Sequence, residues 1–161
     1  MQLRTARIAS WLLASAVVCM ALPHQAQAAD CPVKPMLTVK DTQDGFAGTT
    51  GTIWTIKPDC SYDVARLRGG EVSPPHLKGQ LTPEQQSQLA AALSAAAVET
   101  LPARIGEPAP VNSRQISIEY GGKTAVLNLG MGGPALPGAS DDDTVRRVVE
   151  IGRVVKAVTG E

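Results

Sequence analysis

The sequence predicts an α+β fold, a two-layer sandwich in which a mostly antiparallel sheet of four to six strands carries two helices on one face. Short runs of β-branched and aromatic residues occur in pairs that are joined by tight-turn residues, which is typical of hairpins. Two longer segments have apolar residues at helical spacing and start with capping residues. Because the two strands of a hairpin run in opposite directions, these pairs favour an antiparallel sheet.

The amino terminus has the pattern of an export signal. A short basic start that includes Arg4 precedes an apolar run over Ile8–Leu22, and Ala28 ends a small-x-small cleavage sequence. Residues 1–28 are therefore predicted to be a signal peptide, and residues 29–161 a single secreted α+β domain. The apolar run is shorter than the roughly 20 residues of a transmembrane helix. We therefore expect no stable membrane anchor after cleavage.

The charge balance excludes nucleic acid as an expected partner. The chain has 15 basic and 15 acidic residues, and Arg4 and Arg7 would leave with the signal. The 13 basic and 15 acidic residues that remain give the domain a formal charge of −2. Nucleic-acid binding requires a strongly basic surface, and so does electrostatic attachment to an anionic membrane.

Cys31 and Cys60 are the only cysteines of the predicted domain, since the third cysteine lies in the signal. Exported proteins with two cysteines usually oxidise, so we predict a disulfide bond between them. It would close a loop of about 30 residues and stabilise the fold by roughly 3–4 kcal/mol. Free thiols or a metal-binding pair are the alternatives, although His76 is the only histidine available beside them.

The first elements along the chain are predicted to be strands. Met36–Lys40 alternates apolar and polar residues, and small and polar turn-forming residues follow it. Thr52–Lys57 and Ser61–Arg68 predict a hairpin, because Pro58 presets the backbone for the turn between them. Two prolines before His76–Leu81 permit only an edge strand there.

A helix and a second hairpin follow. Thr82 and Gln85 have the spacing of a capping box, which predicts a helix from Thr82 to about Val98. The proline-containing stretch after this helix is expected to be a loop. Arg114–Tyr120 and Lys123–Leu129 predict a hairpin that turns at two glycines.

The last element is predicted to be a helix that Ser140 caps, with Asp141, Asp142 and Asp143 in its first turn. Its valines and isoleucine cover more than half of its circumference. Such a wide apolar arc implies burial against both the sheet and the first helix.

No pattern in the sequence points to a reaction, so we predict no catalytic, cofactor-binding or metal-binding residues and no cofactor. The chain has no Gly-x-Ser-x-Gly motif, and three adjacent aspartates on one helix would point in different directions. The glycines at 130, 132 and 133 do not complete a nucleotide-binding motif. A hydrolase that uses His76 and a nearby carboxylate remains the enzymatic alternative.

Two regions are candidates for binding a partner. Phe46 is the only phenylalanine of the chain and lies among small and polar residues, Asp44, Gly45 and Gly48. It is either an anchor that faces a partner or a core residue beneath the sheet, and the second interpretation is favoured. Met131 in the later glycine-rich loop is either an exposed apolar contact or a residue packed against the sheet.

Three segments, in this order, resemble the emfourin-like family of small protease inhibitors, which are known as partners of thermolysin-type metalloproteases. They are Asp44-Gly45-Phe46-Ala47-Gly48, the leucine-spaced segment Leu81–Leu101 before a proline, and the hairpin Gln115–Leu129. The family usually has two glycines before the phenylalanine, and here Asp44 replaces one of them. The resemblance implies an exported protease, or another envelope protein, as the partner.

The sequence therefore predicts a monomeric, exported, non-enzymatic protein-binding module, periplasmic or secreted, with protease inhibition as its expected activity. The alternative is a periplasmic small-ligand-binding or cell-envelope structural protein. That alternative predicts an apolar pocket between the helices and the sheet.

Overall fold

A computed structural model describes residues 31, 33–107, 111–131 and 142–161, so the predicted signal peptide lies outside the described residues. The described part contains eight strands and two α-helices, with a short 3₁₀ helix after the first of them. The strands are β1 (Leu37–Gln43), β2 (Thr50–Ile56), β3 (Ser61–Arg68), β4 (Glu71–Val72), β5 (Leu77–Gln80), β6 (Arg104–Ile105), β7 (Ser113–Tyr120) and β8 (Lys123–Met131), and the helices are α1 (Pro83–Ala96) and α2 (Asp143–Thr159).

The strands form one mixed sheet in the order β4-β3-β2-β1-β7-β8-β6, and β5 also pairs with β3. The β6–β8 pair is parallel, and the other described pairs are antiparallel. The α+β prediction is therefore confirmed. The strand count exceeds the expected four to six because β4 and β6, of two residues each, have no sequence signal of their own.

The core lies between one face of the sheet and the two helices. Val39 in β1 is opposite Trp54 on one side and Ile118 on the other, and these three side chains are buried. Leu89 of α1 and Ile151 of α2 belong to the same buried cluster. Because side chains alternate along a strand, the residues between them point to the other sheet face, where they are mostly only half-buried.

The first strand is longer than the sequence indicates. Residues 41–43, which we expected to form a turn, continue β1 to Gln43. This expectation was wrong because β1 lies in the middle of the sheet and pairs with both β2 and β7. Hydrogen bonds from two neighbouring strands outweigh the low strand propensity of an aspartate and a glutamine.

Both helix ends differ in detail from the expected ones. The capping box of Thr82 and Gln85 is confirmed, but α1 ends at Ala96, and Ala97 adopts a left-handed conformation with φ 42°. The cap of α2 is Asp142, whose carboxylate accepts hydrogen bonds from the first turn. The prediction that Ser140 caps this helix was therefore wrong, and Ser140 itself lies outside the described residues.

The predicted disulfide bond is confirmed. Cys31 and Cys60 are bonded, with an S–S distance of 1.99 Å and a Cα–Cα distance of 5.4 Å. Both are buried, and the bond joins the segment before β1 to the turn between β2 and β3. Among the described residues, no helix has both the length and the apolar character needed to cross a membrane.

Candidate protein-binding surface

The connection between β1 and β2 is a closed turn that is fastened to the sheet. The amide of Gly48 donates to the carbonyl of Gly45 at 3.0 Å, so Phe46 and Ala47 occupy the two central positions. The Thr49 hydroxyl donates to the Asp44 carboxylate at 2.7 Å, which links the two ends of the turn. The Asp44 amide also donates to the carbonyl of residue 113 in β7 at 3.0 Å.

Phe46 projects from this turn and is fully exposed, at 109% of its reference area. The favoured interpretation of Phe46 as a core residue is therefore wrong. The turn extends beyond the ends of β1 and β2, and the buried positions of those strands are already occupied by residues such as Val39 and Trp54. Phe46 thus has no contact with the core and presents its ring to solvent.

Other apolar side chains are exposed at the same end of the sheet. Because β1 ends where β2 and β7 begin and where β3 ends, the connections at these points lie together. Val111, just before β7, is 83% exposed, and Val72 in β4 is 58% exposed. We call this region, residues 44–49, 69–72 and 111–113, the loop end. Met36, the fourth large apolar residue exposed in the described part, lies at the opposite end.

A cleft of about 620 Å³ lies between the β1–β2 turn and the end of β3. Ala47 and Gly69 belong to its lining. Two cross-strand pairs also line it, with Thr50 opposite Arg68 and Thr52 opposite Arg66. The cleft therefore contains threonine and arginine side chains and lies directly beside the turn that carries Phe46.

The Arg66 guanidinium is already engaged. It donates to the Thr52 hydroxyl at 2.7 Å and to the Glu161 carboxylate at 2.5 Å. The side chain of Arg68 is exposed, and no carboxylate in the described part of the chain lies within ion-pair distance of it. The cleft thus contains one arginine whose charge is balanced and one whose charge is not.

A second ion pair fixes β1 to β7 near the loop end. The Arg114 guanidinium donates from Nε to Asp41 Oδ1 at 2.8 Å and from Nη2 to Oδ2 at 2.5 Å. The hydrogen bond to Asp41 raises the pKa of Arg114, so this arginine stays charged. Such a two-point contact between a planar guanidinium and a carboxylate favours one orientation of both groups. It therefore links β1 to β7 close to the turn that carries Phe46.

The structure brings four of the five predicted partner-binding residues together and leaves the fifth undecided. Asp44, Gly45, Phe46 and Gly48 form the single turn described above. Met131 is the last residue of β8 and pairs with β7 at the same end, but its side chain lies outside the described part.

Three residues of the loop end and of the cleft beside it have no signal in the sequence. Val111 follows a proline in a segment without periodicity, and Thr50 and Arg68 are ordinary strand residues. Their proximity depends on which strands are neighbours, for which a single sequence carries no local signal.

His76, the candidate for acid–base chemistry, lies in an ion-pair cluster. Its Nε2 atom is 3.2 Å from the Glu161 carboxylate oxygen that also accepts from Arg66. This oxygen therefore contacts both Arg66 and His76, and it links Glu161, two residues after α2, to β3. Among the described residues, no group of three or more histidine, cysteine, aspartate or glutamate side chains is placed to hold a metal ion.

One cavity has a partly apolar lining, as expected for the pocket of a small-ligand-binding protein, but it is open at one side. Its volume is about 360 Å³, and it lies where α1 ends, beside Tyr120 of β7. Its lining combines apolar residues such as Leu93 and Val98 with polar ones such as Glu99 and Thr100. Its lining residues come from the last turns of α1, from the segment that follows this helix and from Tyr120 of the sheet.

Comparison with known proteins assigns the chain to no family: no protein-family model matches it, and no curated protein matches it. The function proposed below therefore depends on the geometry of the loop end and on the resemblance described above.

Proposed function

We propose that the chain is an exported, non-enzymatic protein-binding module whose loop end binds and inhibits a thermolysin-type metalloprotease. The observation that carries this proposal is the full exposure of Phe46 on a turn that is hydrogen-bonded at both ends. A solvent-exposed aromatic ring gains free energy when it enters an apolar pocket, and such rings dominate the energetics of interfaces. The resemblance to the emfourin-like family supports this class of partner.

The rigidity of the turn supports a role in binding. Gly45, Gly48, Asp44 and Thr49 are linked by two hydrogen bonds, and Asp44 is also linked to β7. A contact loop that is already ordered loses little conformational entropy when it binds. The backbone of Phe46 is therefore already ordered before the partner arrives.

The same geometry favours inhibition over cleavage. A peptide bond must lie extended and aligned with the catalytic groups of a protease before it can be cut. Phe46 lies inside a turn that the Gly48–Gly45 hydrogen bond closes, so its backbone is not extended. The ring can then occupy an apolar specificity pocket while the neighbouring peptide bonds remain out of position.

The proposed location is the periplasm or the extracellular space. The predicted signal peptide supports it, and so does the Cys31–Cys60 bond, because such bonds persist in oxidising compartments. A protein that inhibits an exported protease must itself reach the compartment in which that protease is active.

The test is an inhibition assay of the oxidised chain against a thermolysin-type metalloprotease, with the products examined for cleavage of the inhibitor. Phe46→Ala is expected to weaken inhibition at least 30-fold, which corresponds to about 2 kcal/mol for an interface hot spot. Its melting temperature should not change, because the ring has no contact in the folded chain.

Met36→Ala is the matched control, since Met36 is exposed at the opposite end of the sheet and should leave inhibition unchanged. Full protease activity in the presence of excess chain would contradict the proposal. Equal inhibition by the original chain and by Phe46→Ala would show that the loop end does not contribute to inhibition through Phe46.

A further inference from the structure

We propose that the cleft beside Phe46 binds a single carboxylate group of the partner, with Arg68 supplying the charge and Thr50 a hydroxyl donor. This inference rests on the proposed function and adds the chemistry of the surface that the partner must present. The partner would have an apolar pocket for Phe46 and an aspartate, a glutamate or a chain terminus at its rim.

The sheet register places the two proposed ligands side by side. Thr50 of β2 is directly opposite Arg68 of β3, and neighbouring cross-strand residues on one face have Cβ atoms about 5 Å apart. Both line the cleft of about 620 Å³, which has room for a carboxylate-bearing side chain. Ala47, the residue after Phe46, lines the same cleft, so one partner surface would contact both features.

Among the described residues, Arg68 is the arginine of the cleft that forms no ion pair. Arg66 is neutralised by Glu161, and Arg114 is neutralised by Asp41. Glu71 is opposite Arg68 in the β3–β4 pair, but the two side chains form no ion pair. One unbalanced positive charge matches the single negative charge of a carboxylate better than the near-double charge of a phosphate.

The chemistry of the two side chains also favours a carboxylate. A guanidinium presents two parallel N–H groups that match the two carboxylate oxygens. The Thr50 hydroxyl can donate a third hydrogen bond. An apolar anchor beside a charge-assisted contact gives specificity, because a partner without the carboxylate leaves the arginine unpaired at the interface.

The first test needs no protease. The oxidised, ¹⁵N-labelled chain is titrated with N-acetylglycine, which carries one carboxylate, and with its neutral amide as the control. We expect chemical shift changes at Thr50 and at the Arg68 amide and Nε groups with N-acetylglycine alone. Arg68→Gln should abolish the changes, whereas Arg104→Gln, in the exposed edge strand β6, should preserve them.

Equal shifts with the neutral amide, or no shifts at Thr50 and Arg68, would overturn the inference. A titration with inorganic phosphate completes the experiment. Tighter binding of phosphate than of N-acetylglycine at these residues would overturn the assignment of a carboxylate.

The second test separates this inference from the proposed function. Arg68→Gln is expected to weaken association with the protease about tenfold and to reduce its dependence on salt, as a charge at an interface rim does. If Phe46→Ala weakens inhibition and Arg68→Gln does not, the inhibitor function stands and the carboxylate contact is wrong. If N-acetylglycine binds at Arg68 but the chain inhibits no protease, the carboxylate site stands and the proposed function is wrong.

Discussion

Gly48 shows how a single residue determines the shape of the loop end. Its φ of 90° lies in a region that side chains with a Cβ rarely adopt. A Cβ at this position would also lie 3.0 Å from the Cα of Gly69, closer than ordinary contact. Glycine therefore allows the Phe46 turn to close and to lie directly against the end of β3.

Gly48→Ala is expected to destabilise the chain by about 1–3 kcal/mol, because it forces a strained backbone and moves the turn away from Gly69. It should also weaken partner binding, since Phe46 would lose its position. Gly45→Ala is the matched control in the same turn. A Cβ there is 3.7 Å from its nearest neighbour, and the φ angle is not in the left-handed region.

Chemical denaturation measures the stability of both glycine variants, and the inhibition assay measures their binding. Equal stability of the two variants would show that the close approach to Gly69 is not required.

Asp59 gives a prediction about pH at the turn between β2 and β3. Hydrogen bonds from the Ser61 hydroxyl, at 2.7 Å, and from the Ser61 amide, at 2.9 Å, lower the pKa of Asp59. A lowered pKa means that the ionised carboxylate stabilises the fold above the pKa of the unfolded chain. That contribution is lost as the pH falls through the lower pKa of the folded chain.

Ser61→Ala is expected to raise the pKa of Asp59 part of the way to its ordinary value, because the amide donor remains. An NMR titration of the carboxyl carbon measures this shift. Ser87→Ala is the control, since that hydroxyl donates to Pro83 within α1 and should leave Asp59 unaffected. An unchanged pKa in Ser61→Ala would show that the hydroxyl bond is not the main cause.

At the scale of elements, the Arg147 side chain of α2 caps the carboxyl end of α1. Its guanidinium donates to the carbonyls of Ala96 and Ala97 and to the Thr100 hydroxyl. The last carbonyls of a helix have no partner within the helix and carry partial negative charge. A cation from the neighbouring helix satisfies them, and this contact also joins the two helices.

Arg147→Gln is expected to lower the free energy of unfolding by about 1–2 kcal/mol, because it removes charge-assisted hydrogen bonds to a helix end. Urea denaturation measures the loss, and faster amide exchange in the last turn of α1 would locate it. The control is Arg146→Gln, whose exposed pair with Asp143 should contribute at most about 0.5 kcal/mol. Equal losses in the two variants would contradict this role for Arg147.

At the scale of the complete fold, the disulfide joins the segment before β1 to the turn between β2 and β3. Strand pairing in the sheet does not make this connection. Cys31 precedes β1 and Cys60 follows β2, 29 positions later in the sequence. The bond restricts the unfolded chain and ties the start of the described domain to the turn between β2 and β3. The core beside it is built almost entirely from aliphatic residues, with Trp54 as its one fully buried aromatic side chain among the described residues.

Replacing both cysteines by serine is expected to lower the free energy of unfolding by roughly 3–4 kcal/mol, because the unfolded chain regains the entropy that closing a loop of this length removes. Denaturation of the oxidised chain, with and without reductant, measures the same quantity by a second route. The double variant should not respond to reductant. Unaltered stability of the original chain after complete reduction would show that the bond contributes nothing to the fold.

Features that depend on neighbouring residues could be predicted from the amino-acid sequence. Two glycines gave the β7–β8 turn, Thr82 and Gln85 gave the start of α1, and the two cysteines of the domain had only each other as partners. The residues around Phe46 were also recognised as a group, because the only phenylalanine of the chain lies among small and polar residues.

The exposure of Phe46, and the position of Arg68 and Val111 at the same end of the sheet, could not be predicted without the fold. These facts depend on β1 pairing with both β2 and β7, and the Asp41–Arg114 contact that accompanies this pairing joins residues 73 positions apart. Local propensities act over a few residues, whereas burial is a property of the neighbours that distant strands provide.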